Sequence, residues 1–124
     1  MKLLDTSAWI EYFKGSEKGI KVKEILKTEN ATSAISLAEV AHWFEKNGAD
    51  SASALKNIQV NTTIFPMEEE ILITSGKICF RLRKIRQKMG LVDSIIYITA
   101  LTHGLKLLTT DSDFQGLPEV EMLR

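Results

Sequence analysis

Leu3-Leu4-Asp5-Thr6-Ser7 begins the chain with a short apolar run that ends in an acid and two hydroxyl residues. A similar combination of residue types, two Leu, two hydroxyl residues and an acid, recurs at residues 107–111, which are Leu-Leu-Thr-Thr-Asp. Each run is typical of a short buried strand that leads into a turn or a helix. Because the carboxyl ends of parallel strands lie at one edge of a sheet, we expect the acids at these two positions to share a pocket.

Two further acids lie close to predicted helix starts in the middle of the chain. Glu39 falls in the first turn of one predicted helix, and Asp93 begins another that is almost entirely apolar. Helix capping is the alternative role for all four acids, since Asp is a favoured N-cap and Ser36-Leu37-Ala38-Glu39 matches a capping box. Capping does not account for the hydroxyl residues beside Asp5 and Asp111, so we favour a shared pocket.

The strand and helix pattern predicts an α/β fold. Apolar periodicity indicates a long helix over 68–89, in which three Glu residues occupy the first turn, where the helix dipole favours negative charge. Alternation of strands and helices implies right-handed crossovers and a parallel sheet of about five strands. The strands are expected at 2–5, 31–35, 60–66, 105–110 and 120–123, and the remaining helices at 6–13, 18–27, 36–47, 50–58 and 93–103.

Composition narrows the class of protein. The 124 residues are expected to form one domain, 1–124, and the 16 basic and 16 acidic side chains cancel, so any nucleic-acid contact must come from a local patch. The single cysteine, Cys79, excludes an internal disulfide and Cys-rich zinc modules. With no signal-peptide pattern and no apolar run of membrane-spanning length, we expect a soluble, cytoplasmic protein.

Converging carboxylates would require a cation. Two of them about 4 Å apart repel by roughly 4 kcal/mol at an effective dielectric near 20, so a cluster either takes up protons or binds a metal. Oxygen ligands without His or Cys select Mg²⁺ or Mn²⁺ over zinc. His42 and His103 lie away from the predicted helix starts and are interpreted as structural or surface residues. The pocket hypothesis fails if the folded chain scatters these carboxylates.

The four acidic segments resemble the four acidic motifs of PIN-domain ribonucleases, and the resemblance covers essentially the whole chain. In length and motif set the chain looks most like the VapC toxins of toxin–antitoxin pairs. One departure is Val92, where the family commonly has a small Ala, and we expect it to alter packing rather than chemistry. The matching segments are Leu4-Asp5-Thr6-Ser7, Leu37-Ala38-Glu39-Val40, Val92-Asp93-Ser94-Ile95 and Leu108-Thr109-Thr110-Asp111-Ser112-Asp113-Phe114.

This resemblance implies a three-layer α/β/α sandwich with a central parallel sheet and metal-dependent endonuclease cleavage of RNA. It also implies a homodimer and a cognate antitoxin protein that inserts a segment near the acids. Mg²⁺ or Mn²⁺ is the implied cofactor. The implied catalytic and metal-site acids are Asp5, Glu39, Asp93 and Asp111, with Asp113 as an additional metal-site acid and Thr6, Ser7 and Thr109 at supporting positions.

Local positive charge is the expected source of RNA affinity. On the predicted helix 68–89, basic residues step by four, three and four through Lys77, Arg81, Lys84 and Lys88. We predict that Arg81 and Lys84 contact RNA phosphates, with an affinity that falls as salt rises. The alternative is a solvated helix face, which is the commoner meaning of such a run.

Aromatic residues on two predicted helices have two interpretations. Trp9, Tyr12 and Phe13 on the first, and Trp43 with Phe44 on the third, belong either to the core or to a surface that a partner covers. Core packing is favoured for the first group, and the sequence leaves the second open.

Three other classes of protein are alternatives to this assignment. A receiver-type, Mg-binding phospho-switch domain needs adjacent acids after its first strand and an acceptor Asp after its third, but Asp5 stands alone and 64–66 is Ile-Phe-Pro. A dinucleotide-binding module needs a glycine-rich first turn, which Asp5-Thr6-Ser7-Ala8 does not provide. A catalytically inactive PIN-like binding module remains open, although all four acids are present.

Overall fold

Five short strands form one parallel sheet in the computed structural model, which describes residues 1–124. The order across the sheet is β3-β2-β1-β4-β5, so the first strand lies at the centre and the later strands extend outward on both sides. Every pairing is parallel. The expected α/β fold with about five parallel strands is confirmed. The strands are β1 (Lys2–Leu4), β2 (Ala31–Ser33), β3 (Thr63–Phe65), β4 (Lys106–Thr109) and β5 (Val120–Met122).

Six α-helices cover the two faces of the sheet. Neighbouring strand residues point to opposite faces, so Leu3 belongs to the core beneath the last two helices and Leu4 to the core beneath the first four. This is the expected three-layer sandwich. None of the helices has both the length and the apolar composition required to cross a bilayer. The helices are α1 (Thr6–Lys14), α2 (Glu17–Ile25), α3 (Ala34–Lys46), α4 (Ala52–Asn61), α5 (Glu69–Leu82) and α6 (Leu91–Thr102).

The aromatic residues of α1 belong to the core on the Leu4 side of the sheet. Trp9 is fully buried, and its Nε1 donates to Thr32 Oγ1 at 3.1 Å. Its ring contacts Tyr12 and stacks on Phe13, and Phe13 in turn meets Phe44 edge-on. Core packing is therefore the correct interpretation for this group.

The prediction of a helix over 68–89 was wrong at its C-terminal end. Helix α5 ends at Leu82, and the amides of Lys84 and Ile85 bond to carbonyls three residues back instead of four. Ile85 is 71% exposed, whereas Met89 is fully buried. The chain leaves the helical path because Met89 has to reach the core beneath α5 and α6, and apolar spacing alone does not reveal this turn.

The third strand is also shorter than predicted. Residues 60 and 61 complete α4, and Val60 is 72% exposed on that helix. Its β-branched side chain suggested a strand, but strand propensity is weak where no sheet neighbour packs against the residue. The strand that remains, Thr63–Phe65, pairs with β2 along its whole length.

Candidate active site

The carboxyl edge of the two central strands gathers the acids. Asp5 directly follows β1, and Asp111 comes two residues after β4, the neighbouring strand. Glu39 projects from α3 and Asp93 from the first turn of α6. Repulsion links all four, since Asp111 raises the pKa of Asp5, and Asp5 raises the pKa values of Glu39 and Asp93. The folded chain therefore brings acids from four separate segments close enough for their charges to interact.

Asp5 is the most buried of these acids, with 4% of its surface exposed. Its Oδ2 accepts hydrogen bonds from Ser7 Oγ at 2.7 Å and from Thr109 Oγ1 at 2.8 Å. Burial raises the pKa of Asp5; the two hydroxyls oppose the rise and Asp111 adds to it. Although Asp5 occupies the N-cap position of α1, its side chain makes no capping bond, so capping does not explain it.

Two hydroxyl groups connect Asp5 to the segment that carries Asp111. Ser7 Oγ lies 3.1 Å from Thr109 Oγ1 and accepts from the Thr110 amide at 3.0 Å. Thr109 Oγ1 accepts from the Asp111 amide, also at 3.0 Å. The same two hydroxyls that hold one carboxylate therefore fix the backbone that positions the next.

Glu39 is held across the site, and the capping box that was its alternative role is absent. Helix α3 begins at Ala34, two residues earlier than Ser36, and Glu39 makes no capping bond. Instead Thr6 donates to Glu39 Oε1 at 2.6 Å, and Ser36 Oγ lies 2.9 Å from the same hydroxyl. Burial raises the pKa of Glu39; the bond from Thr6 lowers it, and the charges of Asp5 and Asp93 raise it further.

Asp93 and Asp111 do cap local structure, each through one oxygen. Asp93 Oδ2 accepts from the Gly90 amide at 3.0 Å, and Asp111 Oδ1 accepts from the Asp113 amide at 2.9 Å at the start of a 3₁₀ turn. In each carboxylate the other oxygen makes no hydrogen bond. Burial raises the pKa of Asp93; the Gly90 amide opposes the rise, and Asp5, Asp111 and Asp113 add to it. Capping and membership of the acidic site are thus compatible.

The charge of the site is not neutralised within the chain. The ion pairs of the structure join Lys2 to Glu121, Lys14 to Glu11 and Lys27 to Glu24, and none involves an acid of this site. An all-oxygen donor set that lacks internal counter-charges fits a hard divalent cation. No three acidic, His or Cys side chains are placed to hold one ion together. A cation would therefore bind some of these acids through water, which Mg²⁺ retains readily, or draw their side chains inward.

A largely apolar groove of about 410 Å³ adjoins the acids, and no local sequence pattern predicts it. Thr6 and Glu39 belong to both the groove and the acidic site. Its lining comes from α1, α3 and the start of α6, and only the fold brings these segments together. The other principal lining residues are Ile10, Ile35, Trp43, Lys46 and Val92.

Val92, the departure from the usual family pattern, lies at this groove. It is partly buried and packs against the core beneath α5 and α6. Because its side chain is larger than the usual Ala, Val92 affects the packing of this core and the shape of the groove wall. The partly exposed Trp43 lines the same groove, whereas Phe44, the other residue of the second aromatic group, packs against the core on the Leu4 side of the sheet.

The histidines and the proposed RNA contacts lie on the surface. His42 is exposed at the groove, and His103 is exposed and stacks on Phe65 with ring centroids 3.8 Å apart. Arg81 is exposed in the last turn of α5, and Lys84 is exposed in the loop that follows. Lys84 Nζ lies 4.8 Å from the centroid of the Phe80 ring. The shortened helix therefore divides the predicted basic stripe between an element and a loop.

Known proteins share both the sequence pattern and this fold. A toxin–antitoxin complex from Klebsiella pneumoniae contains a chain that superposes with a TM-score of 0.79 and 28% identity over 100% of this chain and 98% of its own. VapBC2 from Rickettsia felis, in a structure bound to promoter DNA, gives a TM-score of 0.78 at 19% identity over 99% of this chain and 98% of its own. At that lower identity the likeness shows the fold alone.

Sequence comparison gives a curated relative and a family. Ribonuclease VapC4 from Mycobacterium tuberculosis is 30% identical over 95 residues, which are 77% of this chain and 59% of that protein. The match thus spans less than two thirds of that relative. The model of the PIN domain matches residues 2–120. Since that match includes every acid gathered at the carboxyl edge of the sheet, this chain belongs to the PIN domain family.

Proposed function

We propose that this protein is a metal-dependent endoribonuclease and the toxin of a toxin–antitoxin pair. The observation that carries the proposal is the convergence of Asp5, Glu39, Asp93 and Asp111 at one edge of the sheet without internal counter-charges. The resemblance to a protein named as a ribonuclease supports the choice of RNA as substrate. A toxin that cuts cellular RNA would act in the cytoplasm.

The proposed cation is Mg²⁺ or Mn²⁺, held by Asp5, Asp93 and Asp111, with Asp113 beside them. When bound, it would supply positive charge to the phosphodiester and lower the pKa of a coordinated water. Ser7 and Thr109 keep the Asp5 carboxylate in one orientation through their two hydrogen bonds. The role of the protein is therefore to hold several carboxylates close together against their mutual repulsion.

Glu39 is the proposed proton acceptor. Thr6 fixes its Oε1, and Oε2 makes no hydrogen bond and is available to orient a water and take its proton. Burial raises the Glu39 pKa toward neutral pH, which makes the carboxylate a stronger base than an exposed glutamate. Thr6 is then a positioning residue, since it acts through Glu39.

Two binding surfaces complete the proposal. Arg81 and Lys84 would contact RNA phosphates from the end of α5, near the loop that leads to Asp93. The apolar groove beside Glu39 would receive a segment of the cognate antitoxin, and Lys46 at the groove would favour an acidic group on that segment. A chain solved within a toxin–antitoxin complex is similar to this one along its whole length, which supports a partner of this kind.

Specific observations disfavour the alternative functions. A receiver-type domain has the sheet order 2-1-3-4-5, whereas this sheet has the order 3-2-1-4-5. Pro66 and Met67 directly follow β3, where such a domain carries its acceptor Asp. An inactive PIN-like binding module is the second candidate, and an activity measurement separates it from a nuclease.

The decisive experiment is digestion of RNA with Mg²⁺ or Mn²⁺, with and without EDTA. We expect cleavage that EDTA abolishes, and we expect Asp93→Asn or Asp5→Asn to abolish it while circular dichroism shows a folded protein. Asp50→Asn is the matched control, because Asp50 is an exposed acid on the loop before α4. Cleavage at the wild-type rate by either site variant would refute the assignment.

A further inference from the structure

One buried side-chain atom at the carboxyl edge of the sheet has no hydrogen-bond partner within the protein. It is the hydroxyl oxygen of Ser33, the last residue of β2, and this serine is fully buried. Every other buried side-chain nitrogen or oxygen of the chain is hydrogen-bonded. A buried hydroxyl without a partner is costly, because it has given up its hydrogen bonds to water. Ser33 is therefore an exception that requires a physical explanation.

Helix capping is the usual role of a serine at this position, and Ser33 does not perform it. Ser33 is the N-cap residue of α3, where a serine oxygen ordinarily accepts a hydrogen bond from an amide of the first turn. Its side chain makes no such bond. The start of α3 therefore does not account for the hydroxyl.

The strand register places Ser33 beside Asp5. Leu3 of β1 pairs with Ala31 of β2, so Asp5 and Ser33 are neighbours two residues further along the two strands. Both residues keep extended backbone angles, with ψ of 155° at Asp5 and 140° at Ser33. Adjacent parallel strands lie about 4.8 Å apart, so one water molecule can contact both side chains.

The two side chains also lie on the same face of the sheet. Leu3 and Ala31 both belong to the core beneath α5 and α6. Thr32 points to the opposite face, where it accepts a hydrogen bond from the indole of α1. Since side chains alternate along a strand, Asp5 and Ser33 point to the same side as Leu3 and Ala31. The unpartnered hydroxyl is therefore directed into the acidic site.

Asp5 thus has a hydroxyl residue on each neighbouring strand. From β4, Thr109 donates to Asp5 Oδ2 at 2.8 Å. From β2, Ser33 lies alongside but bonds neither to Asp5 nor to any other group of the protein. Within the site, one of these hydroxyls orients the carboxylate and the other is available to a ligand.

We propose that Ser33 belongs to the cation site and that its hydroxyl oxygen accepts a hydrogen bond from a water of the hydration shell of Mg²⁺ or Mn²⁺ next to Asp5. The acids are not placed to hold one ion by themselves, so water has to complete its coordination. A divalent cation makes its waters stronger donors, and each of them requires an acceptor. Ser33 supplies a neutral acceptor, which adds nothing to the repulsion among the carboxylates. This inference rests on the proposed cation site but not on the cleavage of RNA.

The Mg²⁺ affinity of Ser33→Ala, measured by titration calorimetry without RNA, tests the proposal. We expect Mg²⁺ to bind about 10-fold more weakly than to the wild type, the usual lower limit for losing a group that orients the surroundings of a metal. Ser75→Ala is the matched control, because Ser75 is equally buried and its hydroxyl donates to the Ile71 carbonyl within α5. This control should bind Mg²⁺ with wild-type affinity.

Stability without the cation separates this role from a structural one. In EDTA, urea denaturation should show that Ser33→Ala is at least as stable as the wild type, because the change removes a buried hydroxyl that has no partner. A hydroxyl that bonds within the protein would give the opposite sign when removed. Circular dichroism checks that the variant keeps its fold.

Three results would overturn the proposal, and they differ in what they leave standing. Equal Mg²⁺ affinity of Ser33→Ala and the wild type would remove Ser33 from the site but leave the proposed cation site intact. A destabilised Ser33→Ala protein in EDTA would show that the hydroxyl has a partner within the folded chain. A wild type that binds no Mg²⁺ would refute the cation site itself, and this inference with it.

Discussion

At the level of single residues, the sequence predicted a shared site for the acids but not what each one contacts. Asp5 and Asp111 were recognisable from the hydroxyl residues beside them, and those hydroxyls do hold the site. The alternative role of Glu39 in a capping box at Ser36 is not realised, because Thr6, 33 residues away in sequence, donates a hydrogen bond to Glu39 instead. Contacts between distant segments depend on the fold, and the sequence pattern is local.

Thr109→Val should reduce RNA cleavage about 10- to 100-fold, the usual cost of losing a group that orients a metal ligand. The change removes the hydroxyl bonded to Asp5 Oδ2 and keeps the volume of the side chain. Loss of that bond raises the Asp5 pKa further, so the pH profile of cleavage should shift upward. Thr102→Val, at an exposed position at the end of α6, is the control. An unchanged pH profile would mean that Thr109 has only a packing role.

Asp5→Asn should stabilise the metal-free protein at neutral pH even as it abolishes cleavage. Burial and the charge of Asp111 both disfavour the ionised form of the wild-type carboxyl, which is 4% exposed, whereas the amide carries no charge. We expect the free energy of unfolding to rise by about 1 kcal/mol or more, measured by urea denaturation in EDTA. Asp50→Asn, on the surface, should change it little. A destabilised Asp5→Asn protein would show that the hydroxyl bonds outweigh burial and repulsion.

At the level of elements, most predicted helices and strands exist, and the errors lie where they end. Helix α5 stops at Leu82 because Met89 must be buried, a requirement of the tertiary structure that spacing does not encode. The same limit applies to the surface of α5, where Ile73 and Phe80 are exposed on the helix and Ile85 is exposed in the turn after it. Periodicity locates the buried face of a helix well, but it does not say whether the opposite face is free.

The two basic residues at the end of α5 are expected to behave differently. Arg81→Ala should weaken RNA binding and lower the slope of log affinity against log salt by about 0.7, the value for one phosphate contact on a single strand. Lys84→Ala should do the same and also uncover the Phe80 ring, whose centroid lies 4.8 Å from Lys84 Nζ. Binding is measured in EDTA by fluorescence anisotropy, and Lys56→Ala on α4 is the control. Unchanged RNA binding by both variants would mean that these basic residues form only a solvated surface.

At the level of the whole molecule, the order of the strands determines which acids lie close together. Because β1 and β4 are central neighbours, whatever follows them is brought together, and the fold places Asp5 beside the segment of Asp111 whether or not this favours stability. Burial and mutual repulsion raise the pKa values of Asp5, Glu39 and Asp93. The native state thus carries an electrostatic cost that a cation would offset.

This cost predicts how stability depends on pH and on metal. Since the three carboxyls have higher pKa values folded than unfolded, the native state binds more protons, and stability falls as pH rises through and above their ordinary values of 3.8 and 4.5. In EDTA the stability that Asp5→Asn gains over the wild type should therefore be larger at pH 8 than at pH 4, because the amide does not titrate. Mg²⁺ at about 100 times its dissociation constant should add about 2.7 kcal/mol at pH 8, an increase of several degrees.

The metal effect separates site binding from general salt effects. At pH 4, where protons compete for the same carboxylates, the stabilisation by Mg²⁺ should largely disappear. It should also disappear at pH 8 in Asp93→Asn, which removes a ligand charge, and persist in Asp50→Asn. Differential scanning calorimetry at constant ionic strength, with Na⁺ replacing Mg²⁺ in the reference, measures each case. Equal stabilisation of wild type and Asp93→Asn would place the cation elsewhere on the protein, and the raised pKa values would then reflect burial without a metal-binding role.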